Sequence, residues 1–367
     1  MSDEAASHNA GRSVSSVGTL DASSTHASML AKFEALREEG LTETESAILA
    51  VIERLVLSTG QDTIPQSSPD NPVARSPDTS TSLASQLAST SQVPDTSGGS
   101  FLVTHVSDAV RAAADEIDEL CANSLDDAEL FLTTMWEILL CVVRIVPYNH
   151  PGQDRIVSVL ETLRLRAKTT VHLWGKERRL WRDFPLLSPC IREAWSDPME
   201  DAGKNTVTTD EASDWVNLNA FVGRITSKGL VDCSIYAVIE IPKALEKEIP
   251  PSGLAREYKL RTASNWILIS GVKLFKDAFK GDTLDEVELR ATAPGPLYVE
   301  TGGRPGLCMD RWRFWLRRFR ELVSDDVDDR VGHEATQAAH RMEEIMKEDG
   351  RAEVRRLGTT GEDDQAN

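Results

Sequence analysis

The chain has no Cys-x-x-Cys pair, no apolar run long enough to span a bilayer, and no excess of positive charge. Its five cysteines (Cys121, Cys141, Cys190, Cys233 and Cys308) are scattered and odd in number. With no apolar N-terminal segment of the signal-peptide type, they read as reduced thiols of an intracellular protein, cytoplasmic or nuclear. The most apolar stretch, 131–146, is interrupted by Glu137 and Arg144 and is too short to cross a membrane. It reads as a core helix, and no membrane partner is expected. Lys and Arg number 40 against 59 Asp and Glu, a net charge of −19. Residues 1–100 hold 5 basic and 13 acidic side chains, and residues 321–367 hold 6 and 14, so the acid sits at the ends. A nucleic-acid partner is not expected, because phosphate contacts need clustered Lys and Arg.

Catalytic signatures are also missing. Ser270-Gly271-Val272-Lys273 has the S-x-x-K spacing of a serine activated by lysine, but the companion S-D-N and K-T-G elements are absent. His333 and His340 lie seven residues apart, about 10 Å along a helix, which is too far to share one metal ion. The turn Gly302-Gly303-Arg304-Pro305-Gly306 has neither the preceding strand nor the lysine of a phosphate-binding loop. No catalytic residue, cofactor or metal ligand is therefore assigned. Nor does any segment alternate with period two for long, or repeat at a fixed interval.

What is present is helical periodicity. The spacing predicts an all-α fold, an irregular multi-helix bundle of about ten to twelve helices, with a disordered N-terminal arm and C-terminal tail. Residues 1–28 are Ser- and Ala-rich without periodicity and are expected to be disordered. A helical pair follows at 29–58, in which Thr42 and Glu45 form a capping box and Ile48, Leu49, Ile52, Leu55 and Val56 a buried stripe. This pair either docks on the body or binds a partner. Residues 59–100 form a disordered linker: 15 Ser or Thr and five Pro among 61–100 leave too little apolar area to offset ordering entropy. An all-helical domain spans 101–349, with a charged tail at 350–367. Within it Trp312, Trp315, Leu316 and Phe319 share one helix face and Phe314 takes the other, so this helix is expected to be the central post, buried from two sides.

Several short stretches stand out: Trp181-Arg182-Asp183-Phe184-Pro185, Ile191-Arg192-Glu193-Ala194-Trp195, and Trp215-Val216-Asn217-Leu218-Asn219-Ala220-Phe221 with Arg224. Ala244-Leu245-Glu246, then Ala263 with Trp266 and Gly271, and Arg311-Trp312-Arg313-Phe314-Trp315 complete the set. In order and spacing they resemble a fungal family of uncharacterised proteins, domain of unknown function 3632, over roughly 175–346. Pro242 and Asn265 depart from its pattern. The resemblance implies a fungal, intracellular, helical protein and no activity.

Asn217, Asn219, Arg224, Glu246 and Arg311 are the polar members of these otherwise apolar signatures. Burying an amide or guanidinium costs several kcal/mol unless it is paired. Such residues therefore either knit helices together or line a polar pocket. The first alternative gives a protein-interaction or scaffold role without catalysis, with an unknown protein partner. The second gives a small-molecule-binding protein or enzyme with its pocket between helices.

Overall fold

The computed structural model describes residues 17–58, 107–166, 169–200, 207–281, 284–322 and 330–359. The fold is all-α: among these residues lie eleven helices of eight residues or more, four shorter helical turns and one β-hairpin. The expected linker at 59–100 lies outside the described residues, as do 1–16 of the expected arm and 360–367 of the expected tail.

Helix α1 (Val17–Glu38) starts well before the periodic stretch at 29–39. Once a helix is nucleated, each further residue adds a bond, so a stretch without an apolar stripe still propagates. Helix α2 (Glu43–Leu57) opens with the expected capping box: Thr42 Oγ1 accepts from the Glu45 amide at 3.3 Å, and the Glu45 carboxylate accepts from the Thr42 amide at 2.7 Å. Of the two alternatives for this pair, the structure takes docking. Ile48, Leu49, Ile52, Leu55 and Val56 are buried where α2 packs on α3 (Asp108–Ala122), α4 (Ala128–Ile145) and α5 (Pro151–Leu165). Met29 and Phe33 bury the face of α1, and Lys32 Nζ reaches Asp214 at 2.7 Å.

Pro151 begins α5 at a first-turn position, where its missing amide costs nothing, and His150 caps it by accepting from the Gly152 amide at 3.0 Å. The chain then forms an element that the sequence pattern misses, a hairpin of β1 (Thr170–Leu173) and β2 (Lys176–Arg179). Four residues per strand are too few for alternation to register. The two-residue turn between them, Trp174-Gly175, has φ of 52° and 74°, the left-handed pair that suits hairpin twist. Glycine adopts this freely, whereas tryptophan held there costs about 1–3 kcal/mol.

After α6 (Leu180–Asp183), Phe184 and Leu186 are also left-handed, at φ 42° and 70°, on either side of Pro185. Both are buried. Trp136 holds this bend, donating Nε1–H to the Pro185 carbonyl at 2.8 Å and meeting Phe184 edge to face. The next helix, α7 (Leu187–Ala194), starts at Leu187 with Leu186 as its cap, two residues ahead of the cap and first position that Ser188-Pro189 suggests from sequence.

The C-terminal half comprises α8 (Thr209–Ser227), α9 (Ser234–Leu245), α10 (Leu254–Lys280), the turns α11 (Glu286–Ala291) and α12 (Pro296–Val299), α13 (Met309–Leu322) and α14 (Arg330–Thr359). Helix α13 is buried on both faces as expected, with Trp312, Trp315 and Phe319 on one and Phe314 on the other. The post, however, is α10. At 27 residues it is nearly twice the length of α13 and packs against α8, α9, α13 and α14. Gly271 lies at this seam, where a Cβ would stand 2.9 Å from the terminal methyl of Ile345 of α14. Helix α14 runs on through Gly350 into the expected tail as far as Thr359, because one glycine costs only about 1 kcal/mol among good helix formers.

If α1 is part of the core, Phe33→Ala should destabilise the full chain by about 3–5 kcal/mol. Urea denaturation measures this directly. A change near zero would mean that the N-terminal pair is not docked in solution.

Candidate functional site

The five polar residues of the signatures do not converge on one pocket. They fall into three separate junctions, each with its own partners.

The deepest is Glu246 with Arg311, both 0% exposed. Glu246 follows α9, and Arg311 lies in the first turns of α13. Arg311 Nε donates to Glu246 Oε1 at 2.6 Å and its terminal nitrogen to Oε2 at 3.0 Å, the two-point geometry that a planar guanidinium gives a carboxylate. Trp315 Nε1 donates to Oε1 at 2.6 Å, and the Gly295 amide to Oε2 at 2.7 Å. The remaining Arg311 nitrogen donates to the carbonyls of Thr292 and Gly306, each at 2.8 Å. Tyr298 and Trp315 present their ring faces to the guanidinium, each 5.6 Å away. Gly295 is required here: a Cβ would stand 2.6 Å from the Glu246 carbonyl oxygen. The glycine- and proline-rich connection ahead of α13 is thus wrapped around one buried ion pair and is not a phosphate cradle.

The second junction joins α8 to the turn between α4 and α5. Asn217 Nδ2 donates to the Arg144 carbonyl at 2.7 Å, and its Oδ1 accepts from the Tyr148 amide at 2.8 Å. Arg224 donates to Asp154 at 2.8 Å, to the Tyr148 carbonyl at 2.8 Å and to Gln153 Oε1 at 3.0 Å. Gln153, which the sequence pattern did not single out, is fully buried and returns its amide to the carbonyls of Val146 and Asn217. The third junction is Asn219 on α8, whose Oδ1 accepts from Trp266 Nε1 of α10 at 2.9 Å. One turn further along this seam Ser270 Oγ donates to the Gly223 carbonyl at 2.7 Å, while Lys273 turns away to Asp277 and Asp232. The S-x-x-K spacing is therefore not a serine–lysine pair.

A fourth cluster was not foreseen. Lys243 Nζ lies 2.9 Å from both Glu240 and Asp197, all three largely buried, with Glu200 at 3.4 Å and the Trp215 ring 5.9 Å below. Trp195 Nε1 donates to Glu240 at 3.2 Å, and the Tyr258 hydroxyl to Asp197 at 3.4 Å. Two buried carboxylates share one ammonium, so one of them is short of positive charge. Burial pushes the Glu240 carboxyl up to about 7 against the pull of Lys243. The available signal was Glu240 three residues before Lys243 in the otherwise apolar run of α9. Asp197 lay in a stretch that looked like loop.

Among the described residues there is an opening large enough for a small molecule. A cleft of about 310 Å³ lies among α1, the end of α4, the start of α8 and the start of α10. Of the five candidates only Asn217 lines it, together with Tyr148, Lys32, Asp210, Glu257 and Arg261. Its cations are engaged, Lys32 with Asp214 and Asp210 and Arg261 with Glu334 at 3.0 Å, whereas Glu257 has no ion pair among the described residues. The Tyr148 hydroxyl donates to Glu334 at 2.5 Å, and burial with that carboxylate pushes its pKa up to about 12. It stays protonated at neutral pH. Among the described residues no group of three or more His, Cys, Asp or Glu is placed to hold a metal ion, and no helix is long and apolar enough to cross a membrane.

Residues 136–319 match the model of a family described as protein of unknown function (DUF3632). The match runs from α4 to α13, so it reaches further toward the N-terminus than the signature residues and stops short of α14. It contains all three junctions and the Lys243 cluster. No curated protein and no solved structure matches the chain.

The Lys243 cluster sets a pH dependence. The folded protein keeps a proton on Glu240 between its ordinary 4.5 and about 7, where the unfolded chain has released it. This site's contribution to stability therefore grows as pH falls from 7 toward 4.5, and is lost as pH rises through 7. Glu240→Gln should flatten that slope in melting temperature against pH. An unchanged slope would place the proton elsewhere.

Proposed function

We propose, for a chain that belongs to the DUF3632 family of proteins of unknown function, a protein-interaction or scaffold role without catalysis, inside a fungal cell, in the cytoplasm or nucleus. One observation carries this reading. The polar side chains of the family signatures are spent on holding helices to one another: Glu246 and Arg311 are sealed from solvent, and Asn217, Asn219 and Arg224 are bonded to neighbouring helices or turns. A group already paired in a buried network is not free to bind or activate a substrate, which leaves the surface as the working part. The intracellular setting rests on the cysteines, all five of which are free thiols.

The 310 Å³ cleft favours a second reading, a small-molecule-binding protein, because that volume lies at the lower end of ordinary ligand pockets. Against it, Lys32, Arg261 and Asn217 all have partners within the protein.

Native mass spectrometry of the full chain, purified gently from its own kind of host, separates the two. The scaffold reading predicts a defined protein complex with no bound small molecule. A retained small molecule of discrete mass, lost on Arg261→Ala while the fold persists, would overturn it in favour of the cleft.

A further inference from the structure

Lys243 serves three carboxylates. Its ammonium lies 2.9 Å from Glu240 and from Asp197 and 3.4 Å from Glu200. Among the described residues none of the three pairs with any other cation. The Glu200 side chain is 59% exposed and is solvated, but Glu240 and Asp197 are buried. One ammonium neutralises only one of those two, and a buried charge without its counter-charge is strongly disfavoured. The other groups around the cluster do not supply the missing charge. Trp195 donates a neutral hydrogen bond to Glu240, Tyr258 of α10 donates to Asp197, and Trp215 of α8 presents its ring to Lys243. Trp215 Nε1 is itself buried without a hydrogen-bond partner among the described residues. Arg192 of α7 pairs with Glu193, and Arg144 of α4 donates to the Ala194 carbonyl.

The two buried carboxylates differ in what carries them. Glu240 sits in the middle of α9 and is fixed by the packing of that helix. Asp197 belongs to the connection that follows α7, in a turn closed on itself. Its Oδ1 accepts from the Met199 amide at 2.9 Å, and its carbonyl accepts from the Glu200 amide at 3.0 Å. Trp195 anchors the start of this connection, its ring centroid 4.9 Å from that of Trp215 and 4.1 Å from that of Tyr236. Beyond it, Ser196, Met199 and Glu200 are exposed and Asp197 is the side chain that turns inward. The polar contacts tying 196–200 to the body among the described residues are those of Asp197 and Glu200 with Lys243 and Tyr258.

From this cluster we infer a proton-operated latch: residues 196–200 stay closed on the body while the Glu240 and Asp197 pair holds one proton, and open, carrying Asp197 into water, once both are charged. The proton sits on Glu240, and opening releases it to solvent. Burial pushes the Glu240 carboxyl from its ordinary 4.5 up to about 7, with Asp197 adding to the rise and Lys243 opposing it. A group whose value is raised in the closed form favours closure at low pH and loses that contribution as pH rises through 7. If opening returns Glu240 to its ordinary value, closure weakens about tenfold between about pH 6 and about pH 8. This device does not depend on the interaction reading above.

Hydrogen–deuterium exchange of the full chain, read by mass spectrometry at about pH 6 and about pH 8 and corrected for the base-catalysed rate, tests it. In the unaltered chain the amides of 196–200 should lose about tenfold protection at the higher pH, while those of α9 and α10 hold theirs. Glu240→Gln keeps the shape without the charge and should make that protection independent of pH. Asp197→Ala removes the inward side chain and should leave the segment weakly protected at both values. Protection of 196–200 that is equal at the two pH values in the unaltered chain would overturn the inference. So would a pH dependence that survives Glu240→Gln, or a loss shared equally by α9 and α10. Should Glu240→Gln fail to fold, the unaltered chain and Asp197→Ala still decide the matter.

Discussion

The buried pair of Glu246 and Arg311 is the constraint on which the C-terminal half depends. Neither side chain reaches water, and between them they bind Trp315, the Gly295 amide and two loop carbonyls. Removing both charges from water costs several kcal/mol each, and that cost is recovered only where every donor and acceptor finds a partner. The long connection from α10 to α13 is shaped to meet that condition. It brings the backbone of Gly295 against Glu246 and returns two carbonyls to the guanidinium, which also decides where α13 begins.

The other polar junctions work the same way at smaller stakes. Gln153 and Arg224 fasten α8 to the turn that opens α5, and Asn219 with Trp266 fastens α8 to α10. Apolar packing alone leaves helices free to slide by a turn, because leucine and valine faces are nearly interchangeable. A carbonyl or carboxylate that only one donor can reach fixes the register. This explains why each short apolar signature carries a polar residue, and why those residues do not gather in one place. The surface is then the part of the molecule with unspent chemistry.

Local features were legible in the sequence, and distant pairings were not. The capping box at Thr42 and Glu45 and the two-faced burial of α13 need only neighbours within a few residues. The polar members of the signatures stood out because they interrupt apolar runs. Their partners did not, since Trp266 lies 47 residues from Asn219, and Arg311 lies 65 from Glu246. Glu240 and Lys243 resemble an exposed pair on one helix turn until Asp197, 46 residues before Lys243, closes over them. The hairpin escaped because its strands are four residues long and its turn uses tryptophan where asparagine or glycine is the usual signal. Helix α1 was read too short because apolar periodicity marks which face is buried, not how far a helix propagates.

The most direct test of this account is a double-mutant cycle on Glu246→Gln and Arg311→Met, read by urea denaturation of the full chain. If the pair is a structural lock, each single change costs about 3–5 kcal/mol by leaving its partner unpaired, and the double change costs much less than their sum. Near-neutral, additive changes would contradict that and show that the fold does not depend on the pair.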